Sequence, residues 1–524
     1  MPLDDLDDSI LSMSRNTHRP LDELKKIRME KLEKLKALGI NPYASAVPPK
    51  TPISEAKNAK DKTSIAGRLM SIREHGKIVF ANVKDESGQI QLAFKKGSLK
   101  NSLWKLVSLF DIGDFVWVSG ELFTTKAGEL TILGKDFKIL TKSFRPLPNV
   151  WHGLKDEEKR YRQRYVDLLL NDELKKVFVK KALFWQTIRN FLLDKDFLEV
   201  ETPVLETTAG GADANPFITH HNALDIDLYL RISMGELWQK RLMVAGFEKT
   251  FEIGRQFRNE GVSREHLQDY TQMEFYWAYA NYEDSMKLVE ELYKQITQKV
   301  FGKTVFEINR LKIDFSKKWE RVDYAKSIRK YLDFDIHTAL ESDIRTKLKE
   351  LKIPLKGKET KGRLLDLLWK AVRKKITGPS FLIGHPVEVS PLAKRCESNP
   401  KIVERYQIII AGSELGNGYT ELNDPLDQKQ RFEEQQKMRD AGDLDAQMYD
   451  SDFVRALEYG MPPVTGFGLS ERLFAFLMDK PVRECVLFPL LRPENPHSSS
   501  AQNSSLKETN SEKLYNMREK FKGY

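Results

Sequence analysis

Cysteine is nearly absent: Cys396 and Cys485 are the only two in 524 residues. Two thiols cannot complete a four-ligand zinc site and are too few for a disulfide scaffold, so a reducing compartment is expected. No uninterrupted apolar run approaches the ~20 residues that crossing a bilayer requires. The acidic opening MPLDDLDDSI has no apolar centre of the kind a secretory signal needs. A cytoplasmic protein with no membrane partner is the expectation. A GxxxxGK[ST] stretch is missing too, which excludes a P-loop nucleotide site. Nor does charge of one sign dominate: Lys and Arg exceed Asp and Glu by 85 to 76, a net +9. That excess is compatible with a polyanionic partner without demonstrating one.

What is present is the composition of an ordinary globular chain, 40% apolar and 31% charged, long enough for two or three domains. Residues 1–59 read as a polar tail followed by a basic helix over 21–38. In it Leu24, Ile27, Leu32, Leu35 and Leu38 keep helical spacing, while Lys25, Lys26, Arg28, Lys31, Lys34 and Lys36 cover the other faces. Over 60–145 the period changes to short strands at 78–83, 89–94, 115–122 and 130–133, parted by glycine-containing turns. A barrel of about five strands of the OB type fits. Val79, Ala81 and Val83 share one parity, which turns Phe80 outward. Ile90, Leu92 and Phe94 likewise turn Gln91 outward, and Glu129 lies opposite Leu130 and Ile132. Such a face either stacks and reads single-stranded bases or has its Phe80 covered by a loop. Residues 146–172 read as a linker or hinge carrying a charged helix, and 173–492 as a larger mixed region with a helical insertion at about 316–380. A polar extension follows at 493–524, where Leu514, Met517 and Phe521 are spaced for a short helix.

The densest chemistry lies in KTFEIGRQFRNEGVSREHLQDYTQMEFYWAY, residues 249–279. Two strand-like runs flank a polar loop at about 261–269. Glu252, Arg258 and Glu260 share a parity opposite to Phe251, Ile253 and Phe257, and Tyr270, Gln272, Glu274 and Tyr276 lie together on one face. An antiparallel pair then presents one arginine, several carboxylates and two tyrosines on one surface. The alternative is a solvated hairpin.

FRNE with its loop and following strand resembles motif 2 of the class II aminoacyl-tRNA synthetases. FLEVETPVL (197–205) resembles motif 1, and GFGLSERLFAF (466–476) resembles motif 3. The HIGH and KMSKS signatures of the other synthetase class are missing; IGHP at 383–386 is not one of them. TTAGGADANPFITHHNALDIDLYLRIS, EVSPLAKR and SELGNGYTELNDPLDQ are similar to the lysyl-tRNA synthetases in particular, and the likeness covers nearly all of the chain except both tails.

The resemblance implies an α+β multidomain protein: an N-terminal OB-fold barrel that binds the anticodon, then a class II catalytic domain with an antiparallel sheet flanked by helices. It implies ATP and L-lysine as substrates, tRNA(Lys) as partner, Mg2+ as cofactor, and a homodimer with Pro203 of motif 1 at its interface. Arg258 and Arg472 become the catalytic arginines. Glu260, His266, Tyr270 and Glu414 join them around ATP; Gly211, Glu236, Arg258, Glu274, Tyr276, Asn417 and Glu421 take lysine; Phe80, Gln91 and Glu129 take the anticodon. An aspartate-specific pocket would want Arg or Lys where these carboxylates stand. Three departures from the family pattern carry expectations of their own. Gln407 replaces a metal-binding Glu, so Mg2+ sites at Gln407 and Glu414 should be fewer or looser. The motif 2 loop has Glu265 where an arginine is usual. Motif 3 is one residue short, so a bulge or altered turn should re-aim Arg472. The alternatives are an aspartyl or asparaginyl sister enzyme, a paralogue that lysylates a protein, and a nucleic-acid-binding relative with decayed catalysis.

Overall fold

The computed structural model describes residues 19–148, 154–261, 263–355, 357, 359–443 and 445–494; the spacing of Leu514, Met517 and Phe521 falls outside them. The chain divides into two compact units, Met1–Leu170 and Asn171–Tyr524.

In the first unit, strands β1 (Lys62–His75), β2 (Ile78–Lys84), β3 (Gln89–Lys95), β4 (Phe115–Thr124) and β5 (Leu130–Thr141) close a barrel in the order β1-β2-β3-β5-β4. The four strands expected from alternation are joined by β1, which pairs with β4 through its first half and with β2 through its second. One strand can serve two neighbours because it coils, with a register shift between Leu69 and Ser71. Gly67 sits at the crossing, where a Cβ would lie 2.5 Å from the Lys84 carbonyl oxygen.

Helix α1 (Leu21–Ala37) buries Leu24, Ile27, Leu32 and Leu35, as its spacing requires. Two of the basic residues on its other faces, Arg28 and Lys31, are buried as well. Lys31 Nζ lies 3.0 Å from Asp111 Oδ1, and Lys142 bridges Asp111 and Asp114, all four side chains wholly buried. Burial alone would raise the Asp111 carboxyl, but the Lys142, Lys31 and Arg28 charges outweigh it and hold it below the usual range. The charged helix expected at the hinge is broken into α2 (Glu157–Arg162) and α3 (Arg164–Leu170).

The second unit is built on an eight-stranded sheet. In chain order its strands are β6 (Leu198–Glu199), β7 (Lys249–Phe257), β8 (Asp269–Ala278), β9 (Glu320–Asp323), β10 (Ser380–Ile383), β11 (Arg405–Ile410), β12 (Ser413–Thr420) and β13 (Val464–Ser470). The spatial order is β9-β10-β11-β12-β13-β8-β7-β6. The expected antiparallel pairing holds through the centre, but both edges, β6 with β7 and β9 with β10, pair in parallel. One face is aromatic: Phe275, Tyr406, Phe467 and Leu469 pack with Phe184, Ile188 and Phe191 of α4 (Asp172–Leu193) and Val289, Leu292 and Ile296 of α6 (Tyr282–Phe301). Between them in sequence lies α5 (Glu236–Val244). The insertion folds as α7 (Tyr324–Leu332), α8 (Glu341–Glu350) and α9 (Lys361–Val372), whose Leu364, Leu365, Leu368 and Val372 form a core of their own. The other sheet face is polar, and there the period-2 pattern places the chemistry.

Candidate active site

A cavity of about 570 Å³ opens on the polar face. From β8 it receives Tyr270, Gln272, Glu274 and Tyr276, while Met273 and Phe275 of the same strand enter the core. The predicted parity of this strand holds because one side of the sheet is apolar and a one-residue slip would invert it.

The lysine-type residues converge. Glu236, Glu274 and Glu421 are 5%, 6% and 1% exposed. Glu274 Oε1 accepts from the Met234 amide at 3.1 Å and from Gln272 Nε2 at 2.5 Å, and its Oε2 accepts from the Tyr276 hydroxyl at 3.0 Å. Glu236 Oε1 accepts from Lys240 Nζ at 2.7 Å and from the Tyr419 hydroxyl. Lys240 Nζ is also 2.5 Å from Glu421 Oε2. Three buried acidic side chains thus surround one resident ammonium. Lys240 and Tyr419 were not singled out in the sequence. Lys240 stands four residues after Glu236 on α5, the i,i+4 spacing of a helical ion pair. Burial, and next the neighbouring Glu236 charge, push Glu274 up to about 7. Burial raises Glu421 well above its usual range against the pull of Lys240.

The glycines of motif 3 clear the space. A Cβ on Gly466 would fall 2.3 Å from Glu421 Oε1 and 2.6 Å from the Tyr276 ring, and one on Gly468 would meet Gln272 and Glu274 at 3.1 Å. Gly211, at φ +85°, lies where a Cβ would meet Glu236 at 2.8 Å. Larger residues at these three positions would fill the pocket.

Arg258 lines the cavity beside this cluster. Its Nε donates to the Ile232 carbonyl at 3.2 Å, and its guanidinium carbon is 5.8 Å from the Tyr270 ring centre. Arg472 also lines the cavity, ion-paired to Glu265 of the motif 2 loop. The bulge expected in motif 3 is not found there, because β13 pairs with β8 residue for residue from Val464 to Ser470. Arg472 is aimed instead by α10 (Arg472–Leu477), which starts directly after Glu471. Glu471 is buried and ion-paired with Lys181. The bulge lies between β11 and β12, where the register shifts between Gln407 and Ile409. It lets Glu414 face the cavity together with Asn417, Tyr419 and Glu421, an odd spacing that a regular strand forbids. Asn417 Oδ1 accepts from Arg405 Nε at 2.8 Å. His266 lines the cavity, its imidazole lowered by burial and then by the Arg472 charge. Glu260 is exposed and not among the lining residues.

Gln407 and Glu414, the expected Mg2+ ligands, are committed to one another and to protein donors. Trp369 Nε1 donates to Glu414 Oε1 at 2.9 Å, Arg373 Nη1 lies 3.0 Å from that oxygen, and Gln407 Nε2 donates to Oε2 at 3.3 Å. Burial and the Arg405 charge push His385 down to about 3, so its ring is neutral, and its Nε2 is 3.1 Å from Gln407 Oε1. Gln407 thus turns a donor, not an oxygen, toward Glu414. A hard cation needs several free oxygens, and no group of three or more His, Cys, Asp or Glu able to hold a metal occurs among the described residues. The pair does not fit a resident Mg2+.

On the barrel, Phe80 is partly exposed and its ring meets His75 edge-on at 6.2 Å, with Arg73 its cross-strand partner. Gln91 keeps the predicted parity but is buried, a correction to its expected exposure. Its Nε2 donates to Glu129 Oε2 at 2.6 Å and its Oε1 accepts from Thr131 Oγ1 at 2.9 Å. The neighbouring strand β5 and the turn before it cover Gln91, so parity gave the direction of the side chain and the curl of the barrel gave its burial.

A class II synthetase sheet, with motif 1 at its edge and motifs 2 and 3 on one cavity, preceded in the chain by an OB-type barrel, is the class this chain defines. Residues 156–492 match the family of class II tRNA synthetases (D, K and N), and residues 63–140 the OB-fold nucleic acid binding domain. The lysine–tRNA ligase of Thermoanaerobacter pseudethanolicus is 44% identical over 490 residues, covering 92% of this chain and 98% of its own. That of Carboxydothermus hydrogenoformans is 44% identical over 488 residues, covering 91% and 100%, and that of Thermotoga maritima 43% over 496, covering 92% and 98%. The chain belongs to the lysine–tRNA ligase family of class II synthetases.

Proposed function

We propose that this chain activates L-lysine with ATP and transfers it to the 3′ end of tRNA(Lys). The observation that carries the reading is the convergence of Glu236, Glu274 and Glu421 beside Arg258 in one cavity. A lysine carboxylate oxygen bonds to the α-phosphorus while the bond from that phosphorus to the α,β-bridging oxygen breaks; the oxygen leaves with pyrophosphate, giving lysyl-adenylate. The 3′-terminal ribose hydroxyl then attacks the lysyl carbonyl, and AMP leaves. No enzyme nucleophile is required; the work is alignment and charge. Arg258 bridges the lysine carboxylate and the α-phosphate. Tyr270 stacks on adenine with Glu260 at the rim, and His266 and Arg472 meet the outer phosphates once ATP displaces Glu265. Gly211 and Glu236 take the α-amino group; Glu274, Tyr276 and Glu421 take the ε-ammonium with help from Asn417. Mg2+ enters with ATP as part of the substrate.

ATP–pyrophosphate exchange with each of the twenty amino acids tests the reading, and lysine alone should drive it. Exchange driven by aspartate or asparagine would identify a sister enzyme instead.

The 60–145 barrel serves the anticodon, with Phe80 stacking on a base and Gln91 and Glu129 hydrogen-bonding to others. Phe80→Ala should leave exchange untouched and lower kcat/KM for tRNA charging by about 10- to 100-fold, the worth of one stacked base. Unchanged charging would remove the barrel from anticodon reading. We also read the chain as a cytoplasmic homodimer. Pro203 is exposed within an apolar stretch where Leu198, Val204 and Leu205 are 48%, 41% and 47% exposed, and a second copy covers it.

A further inference from the structure

Glu414, which lines the cavity, is paired with a guanidinium that none of the three motifs supplies. Arg373 follows α9 directly, in the short 3-10 turn Arg373–Lys375. Its Nη1 meets Glu414 at 3.0 Å, while its Nε is buried with no hydrogen-bond partner among the described residues. Its charge also reaches His266, which lines the same cavity.

Electrostatics links Arg373 to the Gln407 substitution. Two carboxylates at 407 and 414 would repel each other and draw a dication between them. Here position 407 is neutral and donates its amide N–H to Glu414, and the indole of Trp369 donates as well. The remaining negative charge of Glu414 is met by Arg373.

We propose that Arg373 stands in for a metal ion: a built-in cation, oriented by Glu414, that neutralises the ATP polyphosphate where a dication would otherwise bridge Glu414 and the nucleotide. The inference rests on ATP being the substrate. A guanidinium keeps its charge at any working pH and offers planar N–H donors that fit phosphate oxygens. It neutralises without demanding the oxygen ligands that Gln407 and Glu414 have already committed.

Calorimetric titration of the full chain with a non-hydrolysable ATP analogue, in EDTA and in Mn2+, tests this, with bound Mn2+ counted by electron paramagnetic resonance. The wild type should bind the analogue in EDTA, and Arg373→Met should weaken that binding about 10- to 100-fold, the loss of a charge-assisted hydrogen bond. Arg373→Met combined with Gln407→Glu should regain affinity in Mn2+ but not in EDTA, and should hold one more Mn2+ per chain than the wild type. Metal rescue of this kind is not produced by a merely structural role. The inference is overturned if Arg373→Met binds in EDTA as the wild type does, or if the wild type already holds as many Mn2+ as the double variant. The second measurement needs no variant lacking Arg373 to decide against it. A wild type that binds no analogue in either condition strikes the ATP reading instead.

Discussion

Arg258→Ala is expected to lower kcat/KM for lysine-dependent pyrophosphate exchange by about 10³-fold, the scale set by removing a preorganised donor from a developing charge. Arg258 is held before substrate arrives: its Nε is committed to the Ile232 carbonyl and its plane lies near the Tyr270 ring. The two terminal nitrogens then remain for the carboxylate and the α-phosphate. Arg258→Lys keeps the charge but loses the fork, so a decrease of about 10²-fold is expected. tRNA affinity, measured separately by filter binding, should stay within twofold, roughly, because the barrel is not altered. Exchange retained within about tenfold in the alanine variant would mean that another group aligns the reactants.

Glu274→Gln should raise the KM for lysine by about 10²- to 10³-fold, since it leaves a buried ammonium short of its counter-charge. A pH dependence accompanies it. With Glu274 pushed up to about 7 in the ligand-free protein, the carboxyl is largely neutral at pH 6 and anionic at pH 8. The ammonium of lysine binds the anion, so the lysine KM of the wild type should fall by about tenfold as pH rises across that range. Glu236, Glu421, Tyr276 and the Arg258 and Lys240 cations surround the group. Calorimetry in buffers of different ionisation heat should detect proton release when lysine binds near pH 7. The sign for stability follows. A carboxyl whose folded pKa is raised contributes stability that is complete below its ordinary value and lost as pH rises through about 7. The ligand-free Tm contribution therefore falls over that interval, and the Tm gain from lysine should be larger at pH 8 than at pH 6. A lysine KM independent of pH between 6 and 8 would count against Glu274 as an ammonium partner.

Local patterns were sufficient where one periodicity met one apolar layer. Period 2 in 270–276 put four polar side chains on the cavity, and 3.6-residue spacing put Leu24, Ile27, Leu32 and Leu35 in a core, because an apolar face must be buried and the backbone period decides which residues lie on it. The motif glycines were legible as a pattern, but their purpose, clearing room against Glu421, Tyr276 and Gln272, needed neighbouring strands in place.

Long-range pairing decided the remainder. Lys31 looks like any solvated lysine of a basic helix until Asp111 and Lys142 are brought to it from 80 and more residues away. Gln91 points outward by parity and is buried by a neighbour that arrives only when the barrel closes. Arg373 and Glu414 acquire meaning only as a pair brought together by the fold, and a shift of register between two strands aims Glu414 at the cavity. Side-chain direction along one segment follows from dihedral geometry, which nearest neighbours in the chain control. Burial, charge partnership and strand register depend on surfaces contributed by distant segments, and these exist only once the whole chain has packed.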